Sequence, residues 1–505
     1  MSNKLKLFFW LFISIGIFLR LAQFFSDRSL WFDEVLISLN IINKPFIELL
    51  GPLDYYQGAP AGFLFVEKVL VNIFGDSEYT LRAFSLFCSI SSFFIFNKLA
   101  KACLSPAGAL IATALFAISD PSIFYSSEAK QYSGDVTVTL LLLLMALKIE
   151  ETNKTGFSKL VLCGVAGAVS LWFSFPAIFI LISTAVALFV ISFIQKNKEK
   201  SKAVLFCSLF WITGLFILYK IHLCKLNPAG IKLFPDYAFM PFPLNITWFN
   251  ALSMRVFKFL ELSAYGIPQI LFLIGAISFF KRKRVLFLIL FVTILQVLFA
   301  SAFHLYPLGN RLLLFITPLI ILFIAEGISL IINKIWPNYS IILIALVCLL
   351  FWNPVSVVIN DLINPRTLFE IKPVLKYIKE HSTKNDILYV YSNAQYALKF
   401  YAKDYGFNDK FEVDPSQFYS SPKIKRQTEK KGYMTIANGG NSKDFTDGIN
   451  KLKGYKRVWI LFSEIIRKEQ EPLVLKYLNE MGVMLLNFQR PGVRVYLYDL
   501  SSKGK

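Results

Sequence analysis

The sequence predicts a polytopic α-helical membrane protein, with about eleven transmembrane helices and a small soluble α/β domain at its C-terminus. Three observations carry this. Of 505 residues, 55% are hydrophobic and 51 are Phe. Only 17% are charged, against about 25% in ordinary soluble domains. Apolar runs of spanning length recur through the first ~360 residues. A single soluble core of this length cannot hide so much apolar surface, so lipid is its natural solvent. The net charge of +20 does not point to nucleic acid. Its basic residues lie in short gaps between apolar runs and in the tail, where they suit anionic lipid. No basic patch interleaves with aromatics on a soluble fold.

Lys4 and Lys6 precede the first run, 7–25, which is long enough to span and has no small-x-small cleavage site after it. It reads as an uncleaved first helix rather than a signal peptide. Further spans are expected at 80–98, 105–124, 130–149, 158–175, 176–195, 203–223, 264–280, 285–303, 312–332 and 339–359. The six cysteines all lie in or beside these runs without a CxxC pair, and read as small buried hydrophobes.

The strongly basic gaps are Lys98–Lys101, Lys154–Lys159, Lys196–Lys202, Lys281–Arg284 and Lys334. Every second gap is basic in this way, which places these in the cytoplasm and the others outside. The N-terminus is then cytoplasmic, and the C-terminal domain extracytoplasmic. Two outer loops are long. In the first, 26–79, Phe32, Val35, Leu36, Leu39 and Ile42 recur at helical spacing, as do Phe63, Val66, Val69, Leu70 and Ile73. Both read as amphipathic helices on the membrane surface; Glu67 and Lys68 interrupt the second and argue against its spanning. The other long loop, about 224–263, is rich in Pro, Phe and Asn.

The chain divides into a transmembrane domain, 1–360, and a soluble domain, 361–505. In the latter, strands are expected at Ile387–Ser392 and Arg457–Phe462, helices at Ala394–Tyr401 and Pro472–Met481, and a closing hairpin from Val483–Asn487 and Val493–Asp499. Asn438-Gly439-Gly440-Asn441 reads as a turn.

Three clusters carry chemistry. Asp33 and Glu34 follow Trp31-Phe32 just after the first helix; adjacent acids at a membrane rim are costly to desolvate without work or partners. Asp33 reads equally well as the N-cap of the helix it precedes, with Glu34 in its first turn. The second cluster runs from Ser127 to Asp135. Glu128, Tyr132 and Asp135 fall on one face of a helix at spacings of four and three, with Lys130 among them. The third is His304 to Arg311, where Arg311 suits a bidentate phosphate contact or snorkelling to lipid headgroups. Arg82 poses the same choice, and His304 reads as a loop residue. Asn245-Ile246-Thr247 matches the N-glycosylation acceptor pattern. By the topology above, all three clusters lie on the outer side and can converge on one cavity suited to a phosphorylated lipid.

These stretches carry a resemblance. Trp31-Phe32-Asp33-Glu34, Gly58-Ala59-Pro60-Ala61-Gly62-Phe63, Phe74-Gly75-Asp76-Ser77-Glu78-Tyr79-Thr80-Leu81-Arg82, Tyr125–Tyr132 and Tyr306–Leu314 resemble the polytopic glycosyltransferases of the GT-C fold that use polyprenyl-phosphate sugars. Within these, the chain looks like the protein mannosyltransferase and aminoarabinose-transferase relatives of a bacterial branch. The similarity is good over 1–150, thin over 160–300, and implies only a variable outer domain beyond 360. Relatives often have a second proline where Ala59 stands, Arg in place of Lys130, and Pro in place of Ala83. None of these departures removes a charge, though they leave the sugar open.

The resemblance implies transfer of a sugar from a polyprenyl-phosphate donor to an acceptor protein, lipid or glycan on the outer face of a bacterial inner membrane. Its lipid-phosphate leaving group departs as a stable anion and needs no general acid, so one carboxylate to deprotonate the acceptor is enough. That differs from glycoside hydrolysis, with its two flanking carboxyls. Asp33 is then the base, with Glu34 beside it. Glu128, Asp135 and Tyr132 orient acceptor or metal, and Lys130, Arg82 and Arg311 hold phosphate. A divalent cation is compatible, its ligands unknown, and inversion is the expected outcome. The rival reading, a transporter or flippase, is disfavoured by midplanes nearly free of charge and by the absence of internal repeats.

Overall fold

The computed structural model describes residues 3–151, 156–262, 266–383, 385–391, 393–407, 449–450, 452–463 and 470–501. In chain order the helices are α1 Asn3–Phe24, α2 Phe32–Asn43, α3 Ala61–Phe74, α4 Glu78–Cys103, α5 Pro106–Ala117, α6 Asp120–Phe124, α7 Tyr132–Glu151, α8 Phe157–Phe173, α9 Ala177–Ile194, α10 Lys198–Ile221, α11 Ile246–Phe259, α12 Ile267–Arg282, α13 Arg284–Ala302, α14 Thr317–Ile363, α15 Ile371–His381, α16 Ala394–Tyr405 and α17 Gln470–Met481. The strands are β1 Ile387–Val390, β2 Val458–Ser463, β3 Val483–Arg490 and β4 Val493–Asp499. The expected turn at 438–441 lies outside the described residues.

The chain forms two compact units. The first comprises Met1–Ser26, Lys44–Pro52 and Gly58–Pro365, and the second Asp27–Asn43, Leu53–Gln57 and Arg366–Lys505.

The first unit is the helical bundle. Among the described residues seven helices are long and apolar enough to cross a membrane, and the pair Pro106–Ala117 and Asp120–Ser127, bent by 55°, makes an eighth. The runs at 158–175, 264–280 and 339–359 fall on shorter helices: α8 with 17 residues, α12 with 16, and the stretch Val347–Ile363 of α14. In α14, Ser329 Oγ lies 2.6 Å from Ser105 Oγ, at the start of α5. Farther along it, Val358 and Asp361 line a crevice with Leu19 and Asp120, at the opposite end of α1 and α5. Backbones of α12 and α14 touch because both contact residues are glycine. A Cβ on Gly275 would stand 1.8 Å from the Phe323 carbonyl oxygen, and one on Gly327 2.1 Å from that of Leu271.

The bend between α5 and α6 strands carbonyl groups that neither helix satisfies, and lipid offers no donors. Arg20 of α1 supplies them. It is fully buried; its Nη1 donates to Ala117 O at 3.3 Å and to Gly16 O at 2.9 Å, its Nη2 to Phe116 O at 3.2 Å, and its Nε to Ser89 Oγ at 2.9 Å. The Phe93 and Phe116 rings lie 5.1 and 5.5 Å from its guanidinium carbon, within cation–π range. Read as part of an apolar run, Arg20 gave no sign of this role.

Two further elements differ from expectation. Residues 246–259 of the second long loop are helical, with Asn245 as the N-cap: its Oδ1 accepts from Thr247 N–H at 2.9 Å. The first-loop segments Lys44–Pro52 and Gly58–Gly75 are tied to α10 through buried His222. Its Nε2 lies 3.0 Å from Ala59 O and its Nδ1 3.2 Å from Leu50 O.

The second unit is a four-stranded sheet of order β1-β2-β4-β3 with helices against it. Strands β1 and β2 are parallel, and the other pairs antiparallel. All four strands and both helices expected from sequence are present, the β3–β4 hairpin adjacent as foreseen. The amphipathic helix α15 was not foreseen. Buried Asp386 precedes β1, accepting from Arg457 Nε at 2.9 Å and Trp459 Nε1 at 2.7 Å. Helix α2 belongs to this unit, not to a membrane surface. Leu30 N–H donates to Tyr401 Oη at 2.7 Å, and the Phe32 and Tyr396 rings meet at 5.9 Å. Its residues Val35, Leu36, Ile37, Leu39 and Ile41 are buried nearly all round, where a surface-lying helix keeps one wet face.

Replacing Arg20 by Met should leave the Phe116 and Ala117 carbonyls without donors, costing about 1–3 kcal/mol for each buried acceptor. Thermal denaturation of the purified protein in detergent measures it; an unchanged melting temperature would show that Arg20 does not hold the bend.

Candidate active site

The two acids expected after the first helix have separate surroundings. Helix α2 begins at Phe32, so Trp31 is the residue before it; Val35 N–H donates to Trp31 O at 2.9 Å. Glu34 occupies the third helical position and reaches back, its Oε2 accepting from Trp31 N–H at 3.3 Å. This is one half of a capping box. Asp33 is therefore not the cap. Its Oδ1 accepts from Gln57 Nε2 at 3.3 Å. Gln57 follows Tyr55 and Tyr56, both in the left-handed region at φ 61° and 53°, a conformation that costs bulky residues of order 1–3 kcal/mol each. Asn40 of α2 holds this turn: its Nδ2 donates to Asp54 O at 3.2 Å and its Oδ1 accepts from Asp54 N–H at 2.8 Å. Tyr55 packs its ring on Tyr396 at 5.1 Å. Gln57, Asn40 and the strained tyrosines were not foreseen. The Tyr-Tyr-Gln-Gly run was the available signal.

In the first unit the second cluster folds differently from its spacing. Tyr125–Ser127 is a single 3-10 turn, Glu128 is extended (φ −119°, ψ 139°), and α7 starts only at Tyr132. Glu128 thus shares no helical face with Tyr132 and Asp135, a correction to the expectation. The intervening residues turn tightly, Lys130 N–H donating to Glu128 O at 2.7 Å. Arg82, Glu128, Lys130, Tyr132 and Asp135 are all buried.

The bundle draws these groups together. On α4, Ser85 Oγ donates to Lys130 O at 2.8 Å, and Arg82 stands one turn away on the same side. Thr137 Oγ1 donates to Cys88 O at 2.7 Å, which keys α7 to α4. Arg311 arrives from a remote part of the chain, on the 3-10 segment Asn310–Ile316. Its guanidinium carbon lies 5.9 Å from the centre of the Tyr132 ring, and Tyr306 Oη fixes that segment by donating to Leu312 O at 2.7 Å. Asp135 faces Ser174, just past the end of α8. His304 is exposed, has φ 55°, and stacks on Phe239 at 4.6 Å, in keeping with a loop residue. Among the described residues no three His, Cys, Asp or Glu side chains gather to hold a metal ion, and no step below depends on one. Arg311 against the Tyr132 ring, with Lys130 and Asp135 close by in the chain, suits an anionic ligand that also carries neutral polar groups.

A family model described as dolichyl-phosphate-mannose-protein mannosyltransferase matches residues 59–219. ArnT from Cupriavidus metallidurans, in its structure bound to undecaprenyl phosphate, superposes with a TM-score of 0.52 at 12% identity, covering 96% of this chain and 97% of that one. The chain has the GT-C fold. The oligosaccharyltransferase of Archaeoglobus fulgidus, tethered to an acceptor peptide containing the NVT sequon, also superposes with a TM-score of 0.52, at 11% identity, covering 99% of this chain and 74% of that one. No curated protein matches in sequence. The GT-C fold accounts for the bundle followed by a separate C-terminal unit, and the family match takes in α3, α4, α7 and the 128–135 cluster.

Glu34→Ala should unlatch the start of α2. Hydrogen exchange at Val35 and Leu36 is expected to quicken, with a stability loss of about 0.5–2 kcal/mol. Unchanged protection there would mean that Glu34 is not the latch.

Proposed function

We propose that the protein is a membrane glycosyltransferase that moves a sugar from a polyprenyl-phosphate carrier to an envelope acceptor on the outer face of a bacterial inner membrane. The observation that carries this is the approach of Arg311 to Tyr132, two residues along from Lys130, within a GT-C bundle. It brings Arg311 to the cluster that holds Lys130 although they are far apart in sequence, which supports a site for a lipid phosphate. The family match and the undecaprenyl phosphate bound by ArnT support the same chemistry.

In this reading Arg311, Lys130 and Arg82 hold the phosphate. Arg311 suits a bidentate contact, and Lys130 a point charge. They stabilise the charge that grows on the phosphate as the glycosidic bond breaks. Asp33 takes the proton of the acceptor hydroxyl, whose oxygen attacks the anomeric carbon from the face opposite the departing phosphate and inverts it. Glu34 keeps the helix carrying Asp33 in place, while Glu128, Asp135 and Tyr132 orient the reactants. Gln57, on its strained turn, aims the Asp33 carboxylate. The phosphate leaves as an anion, so no second carboxyl has to protonate it.

Two substitutions test this in the full-length protein reconstituted with lipid. Asp33→Asn should insert and fold normally while transfer falls roughly 10²–10⁴-fold. Arg311→Ala should weaken binding of bare polyprenyl phosphate tenfold or more, with Arg311→Lys intermediate, since a bidentate contact is lost but a charge is kept. Full transfer by the Asp33 variant would remove it as the base. Unaltered lipid-phosphate binding by both Arg311 variants would sink the phosphate site.

A further inference from the structure

Glu67 is a buried acid of the bundle that lies outside the 128–135 cluster. It sits on α3 with no exposed surface, and neither carboxylate oxygen makes a hydrogen bond. Burial holds its carboxyl well above the usual carboxylate range. A helix that needed only to pack would place an apolar residue there, because a buried carboxyl without partners costs several kcal/mol. The surroundings of Glu67 are close-packed and position it firmly. Phe63, one turn earlier, meets Phe84 of α4 at 5.9 Å, and Gly62 lies so close to the end of α8 that a Cβ would stand 2.7 Å from Trp172 O.

Other polar atoms of this region are likewise buried and make no hydrogen bond. They are Asp135 Oδ1 and Thr139 Oγ1 on successive turns of α7; Ser174, just past α8, faces the Asp135 carboxyl. Glu67 and Asp135 are both within electrostatic reach of the Cys88 thiol. Polar groups thus occur from Arg311 and Tyr132 to Asp135 and Ser174, and Glu67 and Asp135 share Cys88 as a neighbour. Their chemistry differs: a cation at Arg311, and elsewhere oxygen atoms able to bond hydroxyls. A glycosyl phosphate has the complementary groups, an anion followed by a neutral polyol.

We propose that Glu67, with Ser174, forms the subsite that binds hydroxyl groups of the sugar carried on the lipid phosphate. This rests on the phosphate site at Arg311 proposed above. Glu67 is a sugar-recognising residue here, not a base. A site built to bond a hydroxyl discriminates strongly against a ligand that lacks it.

The test uses the full-length protein in nanodiscs, titrated with bare polyprenyl phosphate and with polyprenyl phosphates bearing a hexose, a pentose or an N-acetylhexosamine. The wild type should bind one of the sugar-bearing lipids more tightly than the bare one. Glu67→Met, similar in shape but apolar, should bind the bare lipid within twofold of wild type, lose tenfold or more on the preferred sugar-bearing lipid, and melt at the same temperature or higher. Glu67→Gln, which keeps a donor and an acceptor, should fall between. A sugar increment that survives Glu67→Met overturns the proposal. So does joint weakening of both ligands with a lowered melting temperature in both variants, which marks Glu67 as a structural group. If no sugar adds affinity to the wild type, the subsite fails while the phosphate site stands. If the wild type does not bind even bare polyprenyl phosphate, the functional reading itself fails.

Discussion

Lipid supplies no hydrogen bonds, so every polar group within the bundle must find its partner in the protein. Much of the architecture follows from that constraint. The α5–α6 bend exposes carbonyls that only a donor from elsewhere can satisfy, and Arg20 crosses from α1 to meet them. The bend in turn sets where α6 ends and where the 125–131 turn begins, and that turn carries Glu128 and Lys130. Ser183, Thr293 and Gln296 bond one another between α9 and α13. A guanidinium buried deep in the bundle therefore helps to shape the turn that carries the second cluster.

The sequence showed the fold class plainly because the hydrophobic period and the charge-free runs are local signals. Strands in the second unit were legible for the same reason: β-branched and aromatic runs bounded by turn residues. What it could not show were partnerships across long separations. Helix α2 has the spacing of a surface helix, but its partner is α16, more than three hundred residues later, and no local pattern encodes that. Helix α11 was missed because its flanking Pro, Phe and Asn read as loop. The face shared by Glu128, Tyr132 and Asp135 assumed a helix from 128, whereas Glu128 is extended and the turn at 128–130 is closed by a backbone bond.

The candidate site was legible by residue type but not by role. Asp33 and Glu34 looked alike as neighbours with one shared ambiguity, cap or chemistry. The structure gives the capping role to one of them: Glu34 reaches back to cap α2, whereas Asp33 accepts from Gln57. Glu67 was read only as an interruption in an apolar stretch, which is how an isolated acid looks when its surroundings are unknown.

The buried acids can be compared with one another, and the comparison gives Glu67 its meaning. Glu326 in the bundle accepts from Ser278 Oγ at 2.6 Å and Arg282 Nη1 at 2.9 Å. Asp386 in the second unit accepts from Arg457 and Trp459, while Glu471 accepts from Arg494 and Tyr496. Each of these three carboxylates is met by donors, which buried charges require. Glu67 and the Asp135 Oδ1 atom differ from these three, and both lie within electrostatic reach of Cys88. Acceptors that the protein itself does not meet suit a ligand that brings the donors, and the hydroxyl groups of a sugar are donors of that kind.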